Sequence, residues 1–171
     1  MPPRKKVLRY ALVAGLSAFA YFRFLHRWPQ PPAGSPAPEI AGVDLDGRAL
    51  KLSDFRGKVT VLTFWGYWCG TCRGELPAKQ KLAAAYVDRP VAFVGVNSDP
   101  DREDARRQAA ADGLTWPSFW NDGRFGGVAT DWGVRSWPTT FVLDRDGVLR
   151  FSKVKLPELA ARIEELLAER R

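Results

Sequence analysis

The most constraining feature of this sequence is a buried strand that leads directly into a pair of cysteines. Residues 59–65 are almost all apolar or β-branched, which is typical of a central strand covered on both faces. Cys69 follows four residues later, Cys72 comes three residues after it, and residues 71–87 favour helix. The pattern predicts a sharp strand-to-helix turn with both cysteines at the beginning of the helix.

Further patterns complete one α/β domain. Residues 43–52 alternate in polarity about an Asp-Gly pair and predict a β-hairpin. Residues 91–96 predict a second buried strand, after which Asp99 is expected to cap a helix that ends at Gly113. Residues 139–151 predict another hairpin, and an amphipathic C-terminal helix follows. A strand, a crossover helix and a second strand imply parallel pairing, so the sheet is expected to be mixed.

The positive charge of the chain is concentrated at its N-terminus. The formal net charge is +7, yet residues 1–28 hold six of the basic residues and none of the acids. The remaining 20 basic and 19 acidic residues are interleaved. A basic surface for a phosphate backbone is therefore not predicted, and we expect no nucleic-acid partner.

An apolar stretch near the N-terminus predicts a membrane segment. Residues 10–22 carry no charge and lie between a basic run and Arg23. Thirteen helical residues span only about 20 Å of a hydrocarbon layer roughly 30 Å thick, but further apolar residues extend the stretch if Arg23 reaches the headgroups. A cleaved signal segment, cut after residues 18–20, is the alternative. We favour an uncleaved anchor within residues 1–28.

A proline-rich linker at residues 29–38 separates the anchor from the predicted domain, residues 39–171. More positive charge precedes the apolar stretch than follows it, which places the N-terminus in the cytoplasm. The domain is therefore predicted to face outward from the membrane.

The two cysteines are interpreted as a redox pair. At a helix N-terminus, backbone N–H groups and the helix dipole stabilise a thiolate, which makes Cys69 the predicted nucleophile. Cys72 is expected to resolve the mixed disulfide that Cys69 forms with a partner. The two cysteines could also supply half of the ligands of a zinc site, or part of a copper site, but both are disfavoured because the only histidine, His26, lies outside the domain. A purely structural disulfide is disfavoured because a disulfide that closes so small a loop adds little stability. No metal site and no bound cofactor is predicted.

Two motifs resemble the thioredoxin superfamily. They are Phe-Trp-Gly-Tyr-Trp-Cys-Gly-Thr-Cys-Arg-Gly-Glu-Leu-Pro at residues 64–77 and Gly-Val-Arg-Ser-Trp-Pro-Thr-Thr-Phe-Val-Leu-Asp at residues 133–144. The resemblance covers about residues 36–168 and is nearest to the membrane-anchored, extracytoplasmic TlpA and ResA branch. It implies a thioredoxin-like three-layer α/β/α sandwich with a mixed central sheet and an N-terminal β-hairpin extension.

The resemblance also implies site residues beyond the cysteines. The Trp137–Pro138 bond is expected to be cis and to expose backbone to a bound polypeptide, with an ordinary trans proline as the alternative. Trp68 is expected to belong to the platform around the active site, and Trp137 to line a groove rather than the core. Glu75 matches an acid of this branch that could exchange a proton with Cys72, and a solvated helix-face glutamate is an equal alternative.

The predicted function is disulfide exchange with proteins of the bacterial envelope, as a reductase, and cytochrome c maturation is one route that the resemblance suggests. The implied partners are client proteins with disulfides or thiols and a membrane redox donor or acceptor. Gly70-Thr71 between the cysteines departs from the glutamate or proline of some relatives, so the direction of electron flow stays open. A thiol peroxidase of the peroxiredoxin type and a Cu(I)-binding chaperone are the alternatives.

Overall fold

The computed structural model of the protein describes residues 30–123 and 127–169. The predicted anchor, residues 1–28, lies outside the described residues. Within the two described ranges, no helix is both long enough and apolar enough to cross a membrane.

Seven strands and four α-helices make up the described domain. The strands are β1 (Ala41–Val43), β2 (Ala49–Lys51), β3 (Val59–Trp65), β4 (Val91–Asn97), β5 (Ser118–Trp120), β6 (Thr139–Leu143) and β7 (Leu149–Ser152). The helices are α1 (Gly70–Ala85), α2 (Arg102–Ala111), α3 (Gly127–Asp131) and α4 (Leu156–Ala168), and a 3-10 helix covers Leu52–Phe55. Strands β1 and β2 form the predicted N-terminal hairpin.

The other five strands form one mixed sheet in the order β5-β4-β3-β6-β7. Strands β3, β4 and β5 are parallel, whereas β6 is antiparallel to both β3 and β7. Every residue of β3 is buried, as expected for a central strand. In the β3–β6 register Phe64 lies opposite Thr139, so the chain that leaves β3 and the chain that enters β6 meet at one edge of the sheet.

Alternate residues of β3 point into different parts of the core. Val59 and Val61 pack with residues of α4, including Ile163, on one face of the sheet. Leu62 and Phe64 pack on the other face in a cluster that contains Trp132 and the α3 residue Ala129. Helices α4 and α3 therefore lie on opposite faces of the sheet, and the N-terminal hairpin meets the β5 edge through the Asp44–Phe119 bridge, which confirms the predicted thioredoxin-like α/β fold.

Helix boundaries differ from the predictions at two places. Helix α1 ends at Ala85, and Val87, predicted to be helical, is 78 % exposed. Helix α2 is capped by Asp101, whose carboxylate accepts the Asp104 N–H at 2.9 Å. The expectation that Asp99 is this cap was wrong, because its carboxylate turns to the loop before Cys69 instead.

Part of the predicted linker is hydrogen-bonded to the domain. The N–H of Gly34 donates to the Leu149 carbonyl at 2.7 Å, and the N–H of Leu149 donates to the Ser35 carbonyl at 2.9 Å. The N–H of Ala37 donates to the Gly147 carbonyl at 3.0 Å. The end of the predicted linker is therefore bound along the β6–β7 hairpin by backbone hydrogen bonds.

Gly95, in the middle of β4, is predicted to tolerate no side chain. A Cβ atom there would lie 2.6 Å from Trp65 Nε1 and would overlap the hydroxyl of Ser118. We expect Gly95→Ala to lower the free energy of unfolding by about 1–3 kcal/mol, because crowding a packed core forces neighbours to move. Denaturant unfolding followed by circular dichroism measures the change.

Gly74→Ala is the matched control for this substitution. Gly74 lies within α1, and a Cβ atom there meets nothing within 4 Å. Because glycine is about 1 kcal/mol less favourable than alanine inside a helix, this variant should be more stable than the parent protein. Equal effects of the two substitutions would contradict the crowding argument.

Candidate active site

Cys69 and Cys72 form a disulfide at the N-terminus of α1. Cys69 is the N-cap residue, with φ −92° and ψ 107°, and its Sγ accepts the Cys72 N–H at 3.2 Å. Asparagine, aspartate or serine usually accepts that bond at a helix start, so a cysteine sulfur here replaces an ordinary capping oxygen. Both cysteines therefore lie at the start of the helix, as the sequence predicted.

The two sulfur positions differ in their surroundings. Cys69 precedes the helix, where the N–H of Cys72 and the positive end of the helix dipole would favour its thiolate after reduction. Cys72 lies in the first turn with its side chain on the inner face, and it is 4 % exposed. Cys69 is 7 % exposed and its neighbour Trp68 is 36 % exposed, so the accessible surface next to the pair includes the Trp68 ring.

A buried aspartate holds the loop before Cys69. The Asp99 carboxylate accepts the Tyr67 N–H at 2.9 and 3.0 Å and the Trp68 N–H at 3.3 Å. The amide of Asn97 donates to the same carboxylate at 2.6 Å. Because these donors compensate the burial of a charged group, Asp99 can serve as a fixed acceptor for the active-site loop.

Two tryptophans, Trp68 and Trp137, form an indole pair beside the disulfide. Their ring centroids lie 5.4 Å apart with an interplanar angle of 65°, which is an edge-to-face contact. Trp137 also packs against the cluster that contains both cysteines. The structure therefore brings Trp68 and Trp137 together, although 69 positions separate them in the sequence.

Pro138 lies at the same edge of the sheet. The Trp137–Pro138 bond is cis, as the resemblance implies. Because β6 begins at Thr139 opposite Phe64, Pro138 is placed next to the chain that runs from β3 to Cys69. Trp132, in contrast, is 0 % exposed and belongs to the core.

Glu75 is not a fully solvated residue. Its Oε2 accepts the ammonium Nζ of Lys79 at 2.8 Å, and the side chains of Glu75 and Lys79 are 28 % and 8 % exposed. Residues three or four apart share one face of a helix, so Glu75 lies on the side of α1 that carries Cys72 and Lys79. The carboxylate is thus ion-paired one turn beyond Cys72.

Tyr67 is a further titratable group close to the cysteines. Burial, together with the nearby carboxylate of Asp112, raises the pKa of the Tyr67 phenol far above its usual value. The phenol therefore stays protonated at neutral pH and is not a proton acceptor for the cysteines. In the described parts of the chain, no three potential His, Cys, Asp or Glu ligands cluster as a metal site would require.

The structural role of residues 97–99 was not predicted from the sequence. These three polar residues are all buried at the carboxyl end of β4, where Asn97 is the last strand residue. Polar groups at the carboxyl ends of parallel strands often contribute to sites in α/β sheets, and this signal could have identified them. The Asp-Pro-Asp pattern was interpreted instead as the start of a helix.

The chain is similar to known oxidoreductases over most of its length. It matches the redoxin family over residues 32–165. It is 33 % identical over 146 residues to the thiol-disulfide oxidoreductase ResA of Geobacillus thermodenitrificans, covering 85 % of this chain and 83 % of the relative. It is 37 % identical over 120 residues to the thioredoxin-like protein YneN of Bacillus subtilis, covering 68 % of each chain.

Solved structures show the same architecture. The thioredoxin domain of a thiol-disulfide oxidoreductase from Bacteroides vulgatus superposes with a TM-score of 0.70 at 27 % identity, covering 80 % of this chain and 98 % of that domain. A DsbF homologue from Corynebacterium diphtheriae superposes with a TM-score of 0.65 at 30 % identity, covering 81 % and 92 %. With its disulfide at the start of α1, the chain belongs to the redoxin family and is a ResA-like thiol-disulfide oxidoreductase of the thioredoxin superfamily.

Proposed function

We propose that this oxidoreductase is tethered to the membrane, faces outward, and reduces disulfides in client proteins of the bacterial envelope. The observation that carries the proposal is the Cys69–Cys72 disulfide at the helix terminus, with the indole pair beside it. Thiol-disulfide exchange itself follows from the family. The proposal adds the direction of electron flow, the roles of single residues and the location.

In the first step, the Cys69 thiolate of the reduced protein attacks one sulfur of a client disulfide. A bond forms between Cys69 Sγ and that sulfur, and the other client cysteine leaves as a thiolate. The Cys72 N–H, which donates to Cys69 Sγ at 3.2 Å, favours the attacking thiolate. Trp68, Trp137 and Pro138 line the edge at which the client segment binds.

In the second step, Cys72 attacks Cys69 Sγ and releases the remaining client sulfur as a thiolate. The Cys69–Cys72 disulfide forms, and the client has gained two electrons. Cys72 must lose its proton before it attacks, and we assign Glu75, on the same face of α1, as the acceptor. A membrane redox donor then has to return two electrons to the disulfide.

Substitution of each cysteine should separate the two steps. We expect Cys69→Ser to reduce the rate of client disulfide reduction to that of the buffer alone, because no nucleophile remains. Cys72→Ser should instead accumulate a mixed disulfide between Cys69 and the client, since nothing resolves it. Non-reducing electrophoresis with an oxidised test protein detects the adduct.

The reverse pattern, with the adduct formed by Cys69→Ser through Cys72, would exchange the roles of the two cysteines. Adduct formation by neither variant would contradict the two-step scheme. Both variants should keep the circular dichroism spectrum of the reduced parent protein, which serves as the control for folding.

The reduction potential of the Cys69–Cys72 pair tests the direction. A client reductase should have a potential near that of thioredoxin, roughly −270 mV. Equilibration with glutathione or dithiothreitol buffers, followed by alkylation of free thiols, measures the value. A potential near −120 mV, that of a strong oxidant, would contradict the assignment as a reductase.

The proposed location rests on the sequence of residues 1–28, an apolar stretch with most of its positive charge before it. After reduction of intact cells, a membrane-impermeant maleimide should label Cys69 and Cys72 to the same extent as in lysed cells. The protein should also stay with the membrane after an alkaline wash, because an uncleaved anchor retains it.

A single cysteine before the anchor is the matched control for labelling. Lys5→Cys in a background of Cys69→Ser and Cys72→Ser should react only after lysis, since that end is expected in the cytoplasm. Labelling of Cys69 and Cys72 only after lysis would contradict the outward orientation. Release of the domain as a soluble protein would indicate a cleaved signal segment instead of an anchor.

A further inference from the structure

Ser98 is completely buried directly after β4 and contacts three separate parts of the site. Its N–H donates to the Trp65 carbonyl at 2.8 Å, at the end of β3. Its carbonyl accepts the Trp68 Nε1–H at 3.0 Å, and its hydroxyl oxygen accepts the Trp137 Nε1–H at 3.1 Å. One small residue therefore joins the residue before Cys69 to the residue before Pro138.

These bonds determine how the indole pair is oriented beside Cys69. Because both ring N–H groups donate to Ser98, the polar atoms of the two indoles point inward, and the exposed part of Trp68 is mainly ring carbon. Trp68 also lies tightly over Gly66, where an added Cβ atom would be 2.6 Å from Nε1. The ring of Trp68 is thus fixed by the Ser98 carbonyl and by its close contact with Gly66, and its exposed part lies next to Cys69.

We propose that Ser98 is a positioning residue that sets client preference, by holding the indole pair as a surface for an apolar side chain next to the client's cysteine. The inference rests on the proposed function, because it requires client segments to bind at this edge. Ser98 touches no client itself. It acts through Trp137, whose half-buried N–H needs the Ser98 hydroxyl as its acceptor.

A substitution of Ser98 can remove its hydroxyl while its backbone N–H and carbonyl groups stay in place. The bond to Trp68 uses the backbone carbonyl and survives any substitution, whereas the bond to Trp137 uses the side chain. Asn121 Nδ2 lies 3.5 Å from the same hydroxyl oxygen and cannot replace it, because an amide N–H₂ only donates. Without the hydroxyl, the Trp137 ring is expected to turn away from Trp68.

The test compares three substrates with the full chain in its reduced form. Two are short peptides with one cysteine joined to glutathione through a disulfide, one peptide having phenylalanine beside the cysteine and the other alanine. The third is oxidised glutathione. In every case the Cys69–Cys72 dithiol is oxidised and the substrate disulfide is reduced to two thiols, which chromatography quantifies.

Ser98→Ala should lower kcat/KM about fivefold to tenfold for the phenylalanine peptide, mainly through KM, as expected for loss of one buried hydrogen bond. For the alanine peptide and oxidised glutathione the change should stay below about twofold, and the reduction potential should not change. Trp137→Phe, which removes the N–H and keeps an aromatic ring, should have a similar effect. The double variant should be no worse than either single variant, because both break the same bond.

Ser118→Ala is the matched control. Ser118 is also buried, and its hydroxyl oxygen accepts the Trp65 Nε1–H at 2.8 Å, but neither residue belongs to the indole pair. This variant loses a hydrogen bond of the same kind and should keep the substrate preference of the parent protein. Thermal unfolding of all variants confirms that each one is folded during the assay.

Three results would overturn the inference: equal losses by Ser98→Ala on all three substrates, the same selectivity change in Ser118→Ala, or additive effects in the double variant. Failure of the parent protein to reduce any of the three disulfides would contradict the proposed function instead. The two failures are therefore distinguishable in one experiment.

Discussion

The antiparallel pairing of β3 with β6 is the contact on which the candidate site depends. Its register places Phe64 opposite Thr139, so the chain leading to Cys69 and the chain containing Pro138 meet at one edge of the sheet. Every residue of both strands is buried, and a shift by one residue would turn core side chains to the wrong faces. The hydrophobic core therefore holds together two motifs that could not form a site separately.

Two buried polar residues after β4, Ser98 and Asp99, hold this edge of the sheet in place. Asp99 accepts backbone N–H groups of the loop before Cys69, and Ser98 accepts both indole N–H groups. Each group is buried, but each finds a partner, so the network costs little in stability and leaves the rings few alternative positions. The end of β4 thus positions a reactive loop to which it contributes no reacting atom.

Reactivity and client selection are divided between different residues. The exchange chemistry belongs to two sulfur atoms at a helix terminus, where the Cys72 N–H already points at Cys69 Sγ. Selection belongs to the aromatic surface beside them, whose shape depends on Ser98 and Gly66. Because the two functions use different atoms, client preference can change in this fold without altering the dithiol.

Strand β3 was predicted residue for residue, β6 and β7 lie at the predicted hairpin of residues 139–151, and the cysteines at a helix start followed from local pattern alone. Strand β5 and helix α3 were missed because three and five residues are too few to show a periodicity. Asp99 was misassigned because a local Asp-Pro-Asp pattern matches a helix cap, while the loop N–H groups that its carboxylate accepts lie 32 and 31 positions earlier. The sequence by itself determined the reactive pair and the fold class, because both follow from the types and spacing of residues that are close together in the chain. Only the tertiary structure decided what Asp99 and Ser98 bind, because those hydrogen bonds require strands distant in sequence to be packed side by side.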